Sequence, residues 1–423
     1  MKKLILLFLG LTAAATATAA DAQFSRIAAL NGIVSQRADY YQIADEVALE
    51  DGEYVFQMSS PHYPWHPVYG IANLVKECHE VTVMETYYAT PQGSEVWGGV
   101  KDAAGNTVAG AKQLVAHPGD SAEAIGRSVK RTGRAVKGFF KGIGKDERSS
   151  DGEDLQSGAG NFFSADVARQ VAYEMKLDSY TRNPAVRSML NKIAMKRAAG
   201  GAAVGVATSL VPVPVSALTA SVASFAINGA LTPGAYLEAT EELLRDNPPT
   251  ELYRELEKML MTLGVAPQDK EILLFRAFCA NLNFTPSEKA YIATYLARLG
   301  NLPALSAVLQ QLATTAEVGD ATTLKLQLQF LSAFNGDKFY LQDYAVGAGN
   351  LIGLTTAGEA VLFLPFDYLD DAAANADGLA LLRGAVAGKK SVWTLGATSS
   401  AFRASLQKIG VAALRENILQ YLR

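Results

Sequence analysis

The stretch Thr285-Pro286-Ser287-Glu288 opens the segment TPSEKAYIATYLARL (285–299) and marks the start of a helix. The Thr285 side chain can accept a hydrogen bond from the backbone of Glu288. The Glu288 side chain can accept one from the backbone of Thr285, and this reciprocal arrangement is a capping box. Pro286 occupies the first helical position, where its missing N–H costs nothing. The stretch therefore predicts a helix over 286–299.

Segments with the same helical character surround this one. Short turns join them, so we expect neighbouring helices to pack antiparallel. No residue signature repeats from one to the next, and a solenoid is therefore not predicted. The predicted helices lie near 249–263, 267–281, 286–299, 302–315 and 320–334, within a central helical domain at 161–335.

An N-terminal module is predicted over 23–118. Residues 41–47 and 54–58 have strand character and flank Asp51-Gly52, a dipeptide that accepts positive φ in a tight hairpin turn. The segment 60–67 contains three prolines and is expected to be a loop that continues neither element. A helix is expected next, since Ile71, Leu74, Val75 and Cys78 follow helical spacing.

A small C-terminal module is predicted over 336–423. A second hairpin is expected, with strands at 351–355 and 360–364, followed by a strand at 391–395 and a helix from about 398. The chain is therefore predicted to be an α+β protein, predominantly helical. Its central multi-helix domain is flanked by the N-terminal β-hairpin/helix module and the small C-terminal α/β module.

Residues 1–22 have the pattern of a secretory signal peptide. Lys2 and Lys3 precede a short apolar run, and small residues suited to cleavage follow it. The apolar run is about half the length of a transmembrane helix, which disfavours the alternative of an uncleaved anchor. The sequence therefore predicts a mature protein in the periplasm or outside the cell.

The composition excludes several classes of protein. Of 423 residues, 49% are apolar and 19% are charged, which suits folded domains with sizeable cores. The formal net charge of −4 lacks the excess of positive charge that is typical of nucleic-acid-binding proteins. No nucleic-acid partner is therefore predicted. No catalytic motif stands out, so no cofactor is predicted.

A basic stretch lies within 119–160, a region that also holds a polar linker. Seven Lys and Arg side chains recur at spacings of one, three or four, with apolar residues around them and no acidic residue among them. Such a stretch is typical of a helix lying on an anionic membrane surface. The alternatives are a solvated helix or loop, and a contact with a polyanion or protein partner. The candidate residues are Arg127, Lys130, Arg131, Arg134, Lys137, Lys141 and Lys145.

A charge-free segment occupies residues 198–237. Pro212 and Pro214 divide it into two mildly hydrophobic arms, so it is predicted to be a hairpin. The arms favour the buried centre of a helical bundle, because a helix that is hydrophobic all round is usually a core helix. Insertion into a membrane and binding of a partner are the alternatives.

The cysteines and histidines are few. Cys78 and Cys279 are candidates for one long-range disulfide, and the alternative is two buried thiols. His62, His66 and His79 fall within 18 residues, but their spacing does not complete a set of four ligands. No metal is therefore predicted, and these histidines remain weak candidates for ligands.

The sequence favours a secreted or periplasmic, non-enzymatic protein that associates with a membrane surface or a protein partner. The alternative is a secreted hydrolase whose site is assembled from scattered residues near His62, His66 and His79. The two hypotheses differ in whether these histidines meet a carboxylate in one cleft.

Overall fold

The structure is a computed structural model that describes residues 23–25, 37–38, 40–89, 160–203, 234–300, 302–370, 375–385 and 388–418. Helices predominate among these residues and strands form sheets at both ends of the chain, which confirms the predicted α+β class. The fold is built from three groups of elements in chain order.

The first group is an antiparallel sheet covered by one helix. The predicted hairpin is confirmed: two strands turn at Asp51 and Gly52, whose φ angles are 48° and 86°. The strands are β1 (Gln23–Ser25), β2 (Arg37–Ala38), β3 (Tyr41–Ile43), β4 (Glu46–Glu50), β5 (Glu53–Ser60) and β6 (Tyr63–Tyr69). Their order in the sheet is β1-β4-β5-β3-β2, and β6 pairs with β5.

Strand β6 corrects the expectation of a loop over 60–67. It includes Pro64 and Pro67, yet its register with β5 runs from Ser60↔Tyr63 to Val55↔Tyr69, with an irregularity between Met58 and Ser60. Among the described strands β6 pairs with β5 alone, so it lies at an edge. Proline is tolerated on an edge strand because an N–H facing outward has no ladder partner to lose.

The predicted helix after this sheet is confirmed as α1 (Ile71–Ala89). Its residues from Leu74 to Tyr87 are all buried, polar ones included. It packs against β3, β5 and β6 on one side and against the central helices on the other. Because α1 is enclosed in this way, its charged side chains must find partners inside the protein.

The central helices follow. The capping box is confirmed, since Thr285 and Glu288 exchange both predicted hydrogen bonds. The helices are α2 (Gly160–Met175), α3 (Pro184–Ala203), α4 (Gly234–Asp246), α5 (Pro249–Met261), α6 (Lys270–Cys279), α7 (Pro286–Leu299), α8 (Leu305–Thr314) and α9 (Val318–Phe334). The most extensive helix contacts join the consecutive helices α2 and α3, and join α6 to α8 across one intervening helix. Helix α7 also packs against α5 and α9.

The C-terminal group contains a mixed sheet of order β13-β11-β9-β8-β7. The predicted hairpin is β8–β9, and β9, β11 and β13 run parallel to one another. A second, two-stranded sheet pairs β10 with β12. The elements are β7 (Leu341–Gly347), β8 (Asn350–Thr355), β9 (Glu359–Leu364), β10 (Tyr368–Leu369), α10 (Ala376–Gly384), β11 (Lys389–Thr394), β12 (Ala397–Thr398), α11 (Ser400–Lys408) and β13 (Ala413–Arg415).

Helices cover both faces of this mixed sheet. On one face Phe330 of α9 stacks on Phe363 of β9, with ring centroids 4.6 Å apart. On the other, Leu382 of α10 and Phe402 of α11 pack in a separate cluster with Ile352. The first face belongs to the same hydrophobic core as the central helices, so the sheet and the helical region share one core.

Candidate functional site

Two of the sequence-predicted features fall largely outside the described residues. The basic stretch 127–145 lies outside them entirely, and so do residues 204–233 of the charge-free segment. Residues 198–203 form the end of α3. Among the helices that the structure describes, none is both long and apolar enough to span a bilayer.

His62 forms a well-defined pair with a buried glutamate of α1. Its Nδ1 lies 2.6 Å from Glu85 Oε2, and the His62 backbone N–H donates to Glu85 Oε1 at 2.8 Å. The Ser60 hydroxyl also donates to Glu85 Oε1 at 2.6 Å, and Tyr88 packs on the imidazole with ring centroids 4.3 Å apart. The His62 side chain is 50% exposed and that of Glu85 only 3%. A buried carboxylate thus fixes the orientation of a half-exposed imidazole whose Nε2 is left for other contacts.

His66 lies further along β6 and faces a different glutamate. Its Nε2 is 3.3 Å from Glu77 Oε1, and its Nδ1 donates to the carbonyl oxygen of Pro64 at 2.8 Å. Glu77 Oε1 also accepts a hydrogen bond from Asn183 Nδ2 at 2.6 Å. Because β6 runs along α1, the strand and the helix bring two histidines against two separate carboxylates.

His79 takes part in neither pair. It is buried, and its Nε2 lies 3.0 Å from the carbonyl oxygen of Lys176, to which it can donate. Burial lowers the pKa of His79, and the hydrogen bond to this carbonyl acts in the opposite direction. The three histidines therefore do not converge on one site. Within the described ranges, no group of three or more His, Cys, Asp or Glu side chains is arranged to hold a metal.

A cluster of buried charges lies on the inner face of α1. Lys76 Nζ is 3.4 Å from Glu80 Oε1 and 3.9 Å from Asp178 Oδ2, and all three side chains are at most 2% exposed. We call these three residues the buried triad. Asp178 follows the C-terminal end of α2, so the triad joins the N-terminal group to the central helices.

Neighbouring hydroxyl and backbone groups fix both carboxylates of the buried triad. The Thr181 hydroxyl donates to Glu80 Oε2 at 3.1 Å. Asp178 Oδ1 accepts from the Ser287 hydroxyl at 2.5 Å and from the backbone N–H of Tyr180 at 2.9 Å. Burial raises the pKa of Glu80 to about 7, while the Lys76 charge acts in the opposite direction.

Neither the buried triad nor either His–Glu pair is predicted from the sequence. A usable signal was present in Lys76 and Glu80, which are four residues apart and therefore adjacent on a helix whose other positions predict burial. Their partner Asp178 lies about a hundred residues away, and no local pattern connects it to α1.

The candidate disulfide between Cys78 and Cys279 is not formed in the structure. Cys78 and Cys279 are both free and buried, which is the alternative that the sequence left open. Cys78 lies in the core beside the Tyr41 hydroxyl, and burial raises the pKa of its thiol, which keeps the sulfur protonated. Cys279 ends α6, where its carbonyl oxygen accepts a hydrogen bond from Lys289 Nζ at 2.6 Å.

No protein family, curated protein or solved structure matches this chain significantly.

Proposed function

We propose that the protein is exported and acts by association with an anionic membrane surface or a protein partner, rather than by catalysis. The observation that carries this proposal is the basic stretch 127–145, which contains seven Lys and Arg side chains and no acidic residue. Basic side chains near an anionic surface each contribute about 1 kcal/mol to binding. The signal-peptide pattern of residues 1–22 supports export to a compartment where such a surface is accessible.

Charge reversal within the basic stretch is expected to weaken binding to anionic vesicles. The triple variant Arg131→Glu, Arg134→Glu, Lys137→Glu loses three attractive charges and gains three repulsive ones. This predicts a loss of at least about 3 kcal/mol, or roughly a hundredfold or more in affinity at low salt. Cosedimentation with phosphatidylglycerol vesicles measures this, and neutral phosphatidylcholine vesicles serve as reference. Added salt is expected to reduce the difference, because it screens exposed charges.

A matched control variant makes the same change in net charge at three lysines outside the basic stretch. Lys258, Lys338 and Lys408 are exposed and lie outside the basic stretch. At an ionic strength of about 0.1 M, exposed charges more than about 10 Å apart are largely screened. Under that condition the combined replacement of these three lysines by glutamate is expected to leave vesicle binding within about threefold of the parent. Equal binding of the parent protein to anionic and neutral vesicles would contradict association with a membrane surface.

A second candidate function is hydrolysis, and the His62–Glu85 pair favours it. An imidazole whose Nδ1 is held by a buried carboxylate presents Nε2 in the orientation that a general base requires. If this base acts, His62→Gln is expected to lower hydrolysis of p-nitrophenyl acetate by about a hundredfold or more. Trp65→Phe, at an exposed position in β6, the strand that follows His62, is the control and should retain full activity. Activity that survives in His62→Gln would exclude His62 as the base.

A further inference from the structure

The buried triad places the amine of Lys76 between two carboxyl groups, those of Asp178 and Glu80. We propose that Lys76 and Asp178 become joined by an isopeptide bond between Nζ and Cγ, with Glu80 as the proton carrier. This inference is independent of the proposed function, because it concerns the covalent structure of the chain itself.

The first argument is the enclosure of the charges. Lys76, Glu80 and Asp178 are almost fully buried, and the two carboxylates both face the Lys76 ammonium group. Removing such ions from water is expensive, and a buried ion pair is seldom a net source of stability. A neutral amine and a carboxylic acid are the forms that can react, and they avoid the cost of burying two opposite charges. The raised pKa of Glu80 is consistent with this tendency.

The second argument is the geometry around Asp178. Its Oδ2 faces Lys76 Nζ at 3.9 Å, while its Oδ1 accepts hydrogen bonds from Ser287 and from the backbone N–H of Tyr180. These two donors lie where negative charge develops when an amine attacks Cγ, so they act as an oxyanion hole. Attack requires Nζ to come within about 3–3.5 Å of Cγ, so the Lys76 side chain moves toward Asp178 before the bond forms.

The third argument is the position of Glu80. Its Oε1 lies 3.4 Å from Lys76 Nζ, and its Oε2 is held by the Thr181 hydroxyl. Glu80 can therefore accept a proton from the attacking amine and return it to the leaving oxygen of Asp178. A group with a pKa near the ambient pH suits both steps.

The reaction balances without a further reagent. Neutral Nζ attacks Cγ of the protonated Asp178 carboxyl group, and the N–Cγ bond forms. The Cγ–Oδ2 bond then breaks, and Oδ2 leaves as water with one proton from the amine and the proton of the carboxylic acid. The product is a secondary amide plus one water molecule. No oxidant, reductant or nucleotide is consumed.

The bond would fasten α1 to the turn that follows α2. It closes a covalent loop of about a hundred residues that contains the long stretch between α1 and α2. A cross-link of this kind acts by restricting the unfolded chain, as a disulfide does. It also resists reduction, which suits a chain whose two cysteines are free.

Peptide mapping of the full-length protein tests the bond. Trypsin should fail to cleave after a modified Lys76. The expected product joins peptide 38–101 to peptide 177–182, with a mass lower than their sum by one water molecule. Recovery of unmodified peptides 38–76, 77–101 and 177–182 as the main species would overturn the proposal and leave a non-covalent ion pair.

Variants separate the roles within the buried triad. Asp178→Asn should yield the same cross-linked product as the parent, because ammonia then leaves in place of water. Lys76→Arg should give only linear peptides. Glu80→Gln should reduce the cross-linked fraction at least tenfold, while the neighbouring Glu77→Gln retains it. Full cross-linking in Glu80→Gln would overturn the proton-carrier role, and circular dichroism establishes that each variant is folded.

Discussion

Replacement of Gly396 by alanine is expected to destabilise the fold by about 3 kcal/mol or more. Gly396 follows β11, and a Cβ built on it would lie 1.8 Å from the carbonyl oxygen of Asp367 and 2.5 Å from its carbonyl carbon. Both atoms belong to the backbone, so no side-chain rotation can relieve the clash. The Gly396 N–H also donates to Phe366 O at 2.9 Å, which holds the two segments at this separation. Overpacking typically costs about 1–3 kcal/mol, and a backbone clash falls at or above the upper end.

Urea unfolding followed by circular dichroism measures this loss, and two other glycines serve as controls. At Gly384 nothing lies within 4 Å of the added carbon, so Gly384→Ala should be neutral or slightly stabilising. At Gly353 the close atoms, at 2.6 and 2.7 Å, are the methyl ends of Leu341 and Leu331. These side chains can move, so Gly353→Ala should cost less than Gly396→Ala. Equal stabilities for the Gly396 and Gly384 variants would contradict the close packing at Gly396.

Local signals in the sequence predicted a large part of the fold. The hairpin turn at Asp51-Gly52, the capping box at Thr285 and the hairpin at Gly358 each depend on residues within a few positions of one another. Conformational preferences at such short range can be predicted from a single sequence. The elements built around these signals therefore appear close to their predicted positions.

Strand β6 shows where local reasoning fails. Pro64 and Pro67 exclude a central strand, but they do not exclude an edge strand. Whether a strand lies at the centre or at the edge of a sheet depends on the rest of the fold. The cysteines show the same limit, because the spacing of Cys78 and Cys279 says nothing about the distance between their sulfur atoms. The structure has both thiols free and buried.

The candidate sites depend still more on tertiary pairing. His62 and Glu85 are 23 residues apart, and Lys76 meets Asp178 from about a hundred residues away. Sequence analysis identified the histidines by residue type but not their glutamate partners. It overlooked Lys76 and Glu80, since charged residues on a helix are usually solvated and their burial follows from the elements that enclose α1. Residue type alone therefore pointed to the histidines and not to the buried triad.

Replacement of Asp367 by alanine is expected to lower the free energy of unfolding by about 2–5 kcal/mol. Asp367 is 4% exposed, and its Oδ2 accepts hydrogen bonds at 3.0 Å from the backbone N–H groups of Tyr54 and Ile71. Ile71 is the first residue of α1, so the carboxylate acts as a helix cap supplied from almost 300 residues away. Loss of a cap costs about 1–2 kcal/mol, and each buried donor left without an acceptor costs about 1–3 kcal/mol.

The matched control is Asp367→Asn, which removes the charge but keeps one carbonyl oxygen able to accept from both N–H groups. Its destabilisation should therefore be clearly smaller than that of the alanine variant. Hydrogen exchange adds a local measurement: the amides of Tyr54 and Ile71 should exchange faster in Asp367→Ala, because their acceptor is gone. The amides of the core strand β9 should exchange only through global unfolding, so their protection should fall no further than the free energy of unfolding does. Equal unfolding free energies for the two variants would show that the shared acceptor oxygen does not hold the N-terminal sheet and α1 against the C-terminal module.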